Sequence, residues 1–124
     1  MTVHTTPHLN FRGEARTALE FYSKAFGGQP VIVTYADMGA PVGPAQASQV
    51  VWGQVATETG FSIMAYDVPP NLDWNPGTIP FFVSVRGTDP AELTRYWTGL
   101  AEGATVIQPI GPSAWAPLYG MLKD

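Results

Sequence analysis

The chain has no cysteine among its 124 residues. That excludes disulfides, thiolate nucleophiles and Cys-ligated zinc or iron–sulfur centres, and it leaves the redox compartment open. Charge is scarce as well. Charged residues make up 13% of the sequence and apolar ones 45%, too little charge for a coiled coil and too apolar for a disordered tail. Positive charge is the scarcest: 6 Lys and Arg stand against 10 Asp and Glu, a formal charge of −4. A stripe of phosphate contacts needs basic residues, so nucleic acid is not an expected partner. No apolar run approaches the roughly 20 residues of a membrane span. The opening MTVHTTPHLNF has neither a basic n-region nor an apolar h-region, so the expected address is cytoplasmic, with no membrane partner.

What is present reads as one domain with a real core. Glycine (13) and proline (12) are abundant without a Gly-X-Y period, which excludes collagen. Between Lys24 and Arg86 there is no Lys or Arg, only Asp37, Glu58, Asp67 and Asp73. The plain reading is a solvated face plus apolar strands; the sharper one is a cleft wall that repels anions.

Two helices are legible. In Glu14 to Phe26, the residues Ala15, Ala18, Leu19, Tyr22, Ala25 and Phe26 recur at helical spacing. Gly27-Gly28 closes that helix. The second runs from Asp89 to Leu100 or Ala101. Asp89 is its expected cap, Pro90 suits the first turn and Glu92 completes a capping box. Strands are expected at His8 to Arg12, Pro30 to Tyr35, Gln49 to Thr57, Phe61 to Tyr66, Pro80 to Arg86, Thr105 to Gln108 and Tyr119 to Leu122. Sliding the chain by 74 residues lays Arg12-Gly13 on Arg86-Gly87, Leu19 on Leu93 and Tyr22 on Tyr96. This predicts a duplicated strand–helix unit.

The expected fold is therefore α+β: paired βαβββ modules forming a curved mixed sheet with external helices. Module one spans about 6–67, a proline-rich connector 68–78, and module two about 79–124. By this count the last strand of module two is missing, leaving an unpaired edge that assembly could use.

The blocks His8-Leu9-Asn10-Phe11-Arg12-Gly13, Ala18-Leu19-Glu20-Phe21-Tyr22, Phe26-Gly27-Gly28, Ile63 to Asp67, Trp115 and Tyr119 to Asp124 together resemble a known family. They are similar to the glyoxalase/bleomycin-resistance/extradiol-dioxygenase (vicinal oxygen chelate) superfamily, in its PhnB-like, 3-demethylubiquinone methyltransferase-like branch. The resemblance implies paired βαβββ modules and common homodimers. In the enzymes it implies a divalent metal held by His or Glu from the first and last strands. Matched position by position, only His8 fits that ligand pattern. Met64 stands where a carboxylate is expected, Pro80-Phe81-Phe82 where a His is expected, and the last ligand would lie on the strand counted as missing.

Other chemistry is thin. There is no H-E-x-x-H, G-x-S-x-G or P-loop, and Arg12-Gly13-Glu14 lacks the glycine pattern of a nucleotide-type cofactor site, which argues against methyl transfer. His4 could share a strand face with His8. The carboxylates Asp37, Glu58, Asp67 and Asp73 read as solvated loop groups. His8 is the one candidate general base and the one candidate metal ligand. Asn10 and Arg12 follow it at the strand period, and Arg12 would meet an anion or pair with Glu14 or Glu20. Trp52, Gln54, Met64, Tyr66, Phe82, Trp115 and Tyr119 are candidate pocket walls, or core. Trp74 is a candidate lid or dimer contact.

The first reading is a homodimer binding a small organic molecule in an apolar cleft, without cofactor or metal. A divalent-metal-dependent lyase, isomerase or dioxygenase is the second reading, and a non-catalytic dimeric interaction module the third.

Overall fold

The structure, a computed structural model, describes residues 3–124. In chain order the elements are β1 (His8–Phe11), α1 (Ala15–Phe26), β2 (Val31–Thr34), α2 (Pro44–Ala47), β3 (Val50–Ala56), β4 (Ser62–Asp67), α3 (Pro90–Ala101), β5 (Thr105–Gly111) and β6 (Tyr119–Lys123). Four strands form one mixed sheet in the order β1-β4-β3-β2, with β1 parallel to β4 and the other neighbours antiparallel. β5 and β6 form a separate antiparallel pair.

Alternation decides which way each strand faces. Leu9, Val55, Ile63 and Ala65 are buried on one side of the large sheet, and α1 lays Ala15 and Leu19 against them. Fully burying such a side chain is worth about 1.5–3 kcal/mol. Gly53 lets the helix come close, because a methyl there would collide with Leu19 Cδ1. α1 ends at Gly27, whose φ of 90° suits glycine and whose N–H reaches Ser23 O at 2.8 Å.

α3 packs beside α1, with Gly99 against Ala25. Phe26 joins the two halves: it stacks on Phe61 at 3.7 Å and leans on Tyr96 at 4.8 Å between ring centroids. Asp89 caps α3 as expected, its carboxylate accepting the Ala91 N–H at 3.0 Å. The capping box is not completed. Glu92 instead accepts the Tyr96 hydroxyl at 2.8 Å, one turn along the same helix.

The expected fold is corrected in three respects. The α+β class and the external helices hold, but the paired βαβββ modules do not make one curved sheet. The two sheets stay apart, neither closed nor strongly curled. Among the described residues six strands are present, and β6 completes a hairpin with β5, so the count that left a last strand missing does not stand. Pro80 to Arg86 is not a strand. Its composition favours a pleated surface, but strand propensity is realised only against a neighbour, and among the described residues this segment has none.

Candidate functional site

α1 covers one face of the large sheet, and the side chains that point the other way form a short grid. Across β1, β4, β3 and β2, one row runs His8, Met64, Gln54, Val31. The next row runs Asn10, Tyr66, Trp52, Val33, since Gly53 opposite Ala65 sets Trp52 beside Tyr66. Neighbouring strands lie about 4.8 Å apart and rows about 6.7 Å apart. The grid therefore offers a flat, mixed surface of imidazole, thioether, amide, phenol and indole.

Short-range contacts fix these groups. His8 meets the edge of Tyr66 at 5.1 Å between ring centroids. Its Nδ1 lies 3.1 Å from Asn10 Oδ1. The Trp52 indole N–H points at Met64 Sδ, 3.3 Å away. Gln54 donates to Ser62 Oγ at 3.0 Å, and Ser62 Oγ is 3.2 Å from Thr6 Oγ1. Neither row carries a formally charged acid or base, consistent with the stretch between Lys24 and Arg86 that has no basic residue.

Six of the candidate residues named from sequence therefore share one surface: His8, Asn10, Trp52, Gln54, Met64 and Tyr66. Arg12, Phe82, Trp115, Tyr119 and the candidate lid Trp74 do not. Arg12 turns away to the connector, where its guanidinium donates to the carbonyls of Pro69 (3.2 Å) and Leu72. It pairs with neither Glu14 nor Glu20, because two carbonyls and the Trp74 ring at 5.9 Å occupy it. Trp74 lies alongside β1 and donates its indole N–H to Asn10 O at 3.0 Å. Phe82 and Tyr119 line a second groove of about 390 Å³ among residues 82–85, α3 and β6. Trp115, 74% exposed, meets the edge of Tyr119 at 5.2 Å.

The structure places Asp67 elsewhere than the sequence suggests. Asp67 is 1% exposed, not a solvated loop carboxylate. Its Oδ1 accepts the N–H groups of Gly13 (2.6 Å) and Ala15 (3.1 Å), and its Oδ2 accepts that of Val50 (2.9 Å). Glu14, at the N-cap, makes no side-chain bond, so Asp67 caps α1 from a neighbouring strand. The signal was available: Ile63, Ala65 and Asp67 share one parity, and the first two face the core.

A divalent metal needs several hard donors converging on one point. Around His8 the neighbours are an amide, a phenol and a thioether, and no group of three His, Asp or Glu comes together among the described residues. His4 adds nothing, since residues 3–7 precede β1 and are not strand. The donor set does not fit the metal that the superfamily's enzymes hold.

The profile of a family described as 3-demethylubiquinone-9 3-methyltransferase matches residues 3–124. The chain belongs to that family. It is a glyoxalase/bleomycin-resistance-like protein of the PhnB-like branch, as the blocks in the first helix and at Tyr119 to Asp124 implied. Among solved structures it is similar to protein PA1353 from Pseudomonas aeruginosa, with 27% identity, a TM-score of 0.83, and 99% of this chain matched to 90% of that one. It also shares its fold with a putative 3-demethylubiquinone-9 3-methyltransferase, PhnB protein, from Bacillus cereus, at 22% identity and a TM-score of 0.74. There 98% of this chain covers 92% of that one. No curated protein matches by sequence. No helix among the described residues of this family member is long and apolar enough to cross a membrane.

Proposed function

We propose that the protein binds a small, uncharged organic molecule on the outer face of the β1-β4-β3-β2 sheet, with no metal taking part. The observation that supports this is the grid itself: Trp52, Tyr66 and Met64 half-buried beside His8, Asn10 and Gln54, free of formal charge. Aromatic and thioether groups supply contact area, and a few fixed polar groups supply orientation. A cytoplasmic address suits such a role. The test is a titration with neutral aromatic compounds, followed by the indole resonances of Trp52, Trp74, Trp97 and Trp115. The Trp52 signal is expected to move first, and Trp52→Ala to abolish saturation. Shifts confined to Trp97 and Trp115 would move the site to the second groove and overturn this reading.

A homodimer belongs to the same reading. Ile79, Phe81, Phe82, Val83 and Val85 are all exposed along one stretch, more contiguous apolar surface than a lone soluble chain usually leaves in water. Light scattering should return twice the 13.3 kDa of one chain. Phe81→Ser with Phe82→Ser should return the single-chain mass. A wild-type protein that stays monomeric at high concentration removes the dimer and leaves the sheet-face reading standing.

A further inference from the structure

Several polar atoms of the grid already have partners on or beside it. The Gln54 amide N–H₂ is held by Ser62, Ser62 by Thr6, and the Trp52 indole N–H by Met64 sulfur. At His8 one of the two ring nitrogens is engaged. Nδ1 lies 3.1 Å from Asn10 Oδ1. A carboxamide oxygen accepts and never donates, so in the neutral ring the proton sits on Nδ1 and the lone pair on Nε2. Tyr66, edge-on at 5.1 Å, crowds the ring against rotation.

We infer that Asn10 is a positioning residue that holds neutral His8 in its Nδ1–H form, so that Nε2 faces the ligand as a hydrogen-bond acceptor and the ligand carries an O–H or N–H donor. The ligand half of this rests on the sheet-face reading above; the tautomer half does not. In the free protein water meets Nε2. A flat ligand on the grid displaces that water, and one without a donor leaves the lone pair unpaired, which lowers its affinity.

The tautomer is read directly from long-range nitrogen–proton spectra at alkaline pH, with His4→Gln assigning the two histidines. The wild type should show a protonated Nδ1. Asn10→Ala should hand the proton to Nε2, and Asn10→Asp, which also accepts, should return it to Nδ1. A wild-type spectrum with the proton on Nε2 would mean that the Asn10 amide is turned the other way, and it overturns the inference. So does a spectrum that Asn10→Ala leaves unchanged.

The ligand half is tested with 2-naphthol against 2-methoxynaphthalene, which differ by one donor. The wild type should prefer 2-naphthol by about three- to tenfold, and His8→Phe should bring the ratio to about one. Equal affinities for the two in the wild type, with Trp52 still perturbed, overturn the donor requirement and leave the sheet face as the site. If neither compound moves Trp52, the site reading fails and the ligand half fails with it. The nitrogen spectra judge the tautomer separately in every case.

Discussion

Leu19 of α1 presses its Cδ1 onto the backbone of Gly53 in β3, in space that a Cβ on that residue would need. The contact sets how close the helix lies to the sheet, and so how well Val50, Val55 and Ile63 are closed from water. Gly53→Ala must push the helix outward or force Leu19 off its rotamer. The expected cost is about 1–3 kcal/mol in urea denaturation. Gly111 makes a fair control, with negative φ and open space at its Cβ, so Gly111→Ala should stay within about 0.5 kcal/mol of wild type.

Asp67 should be the most sensitive polar residue in the fold. Three backbone N–H groups, from Gly13, Ala15 and Val50, end on its carboxylate. Asp67→Ala leaves all three without that acceptor. At about 1–3 kcal/mol each, even a partial loss is a large share of the stability of a domain this size. Asp67→Ala is expected to express insolubly or to unfold at least about 3 kcal/mol more easily. Asp67→Asn keeps one oxygen but turns an N–H₂ toward a donor, so it should fall between the two. A variant as stable as wild type would mean that water reaches these N–H groups.

The same residue shows how far the sequence could be read. The apolar stripe of α1, the Asp89 cap, the hairpin of β3 and β4 and the grid residues on one strand parity were all legible, because each rests on local periodicity. Asp67 was legible in principle, since it continues the buried parity of Ile63 and Ala65, but its acidity outweighed its position. Arg12 shares the parity of His8 and Asn10, yet it leaves the grid because two carbonyls of the connector capture it. Pro80 to Arg86 failed for another reason. Its residues suit a strand, and no pattern within a segment states whether a neighbouring strand will meet it. The separation of Phe82, Trp115 and Tyr119 from the grid follows from that same missing pairing.

The turn after β2 carries a pH signature. The Asp37 carboxylate accepts the Thr34 N–H at 3.0 Å, and the Asp37 N–H reaches back to Thr34 Oγ1 at 3.1 Å. The backbone bond from Thr34, then its side chain, favours the charged form and holds Asp37 below the usual carboxylate range. Because the folded value is depressed, the contribution is fully present above the unfolded value of about 3.9 and is lost as pH falls through the folded one. Carboxyl carbon titration by NMR should find Asp37 below the roughly 3.9 of a free aspartate. Thr34→Val, which keeps the backbone donor, should raise it only part of the way. An Asp37 that titrates at or above the free aspartate value contradicts the turn.

The connector is tied to the first strand through Trp74 and Arg12, and that tie reaches the grid. Met64 N–H bonds Pro7 O at 2.9 Å and Val68 N–H bonds Phe11 O at 2.6 Å, so the odd-numbered carbonyls of β1 turn inward to β4. By the alternation of a parallel ladder, Asn10 O turns to the outer edge, and there the Trp74 indole meets it at 3.0 Å. Arg12 holds Trp74 in place from below, with its guanidinium 5.9 Å from the ring centroid and its N–H groups on the carbonyls of Pro69 and Leu72. Both carbonyls are met by one guanidinium nitrogen, which an ammonium can match, but lysine has no planar group to lie against the ring. Arg12→Lys and Trp74→Phe should therefore each speed amide exchange across residues 70–77 while costing no more than about 1 kcal/mol of global stability. Trp74→Phe should also loosen Asn10, and with it the share of His8 that carries its proton on Nδ1. Unchanged exchange in both variants would mean that the connector is held by something other than these two side chains.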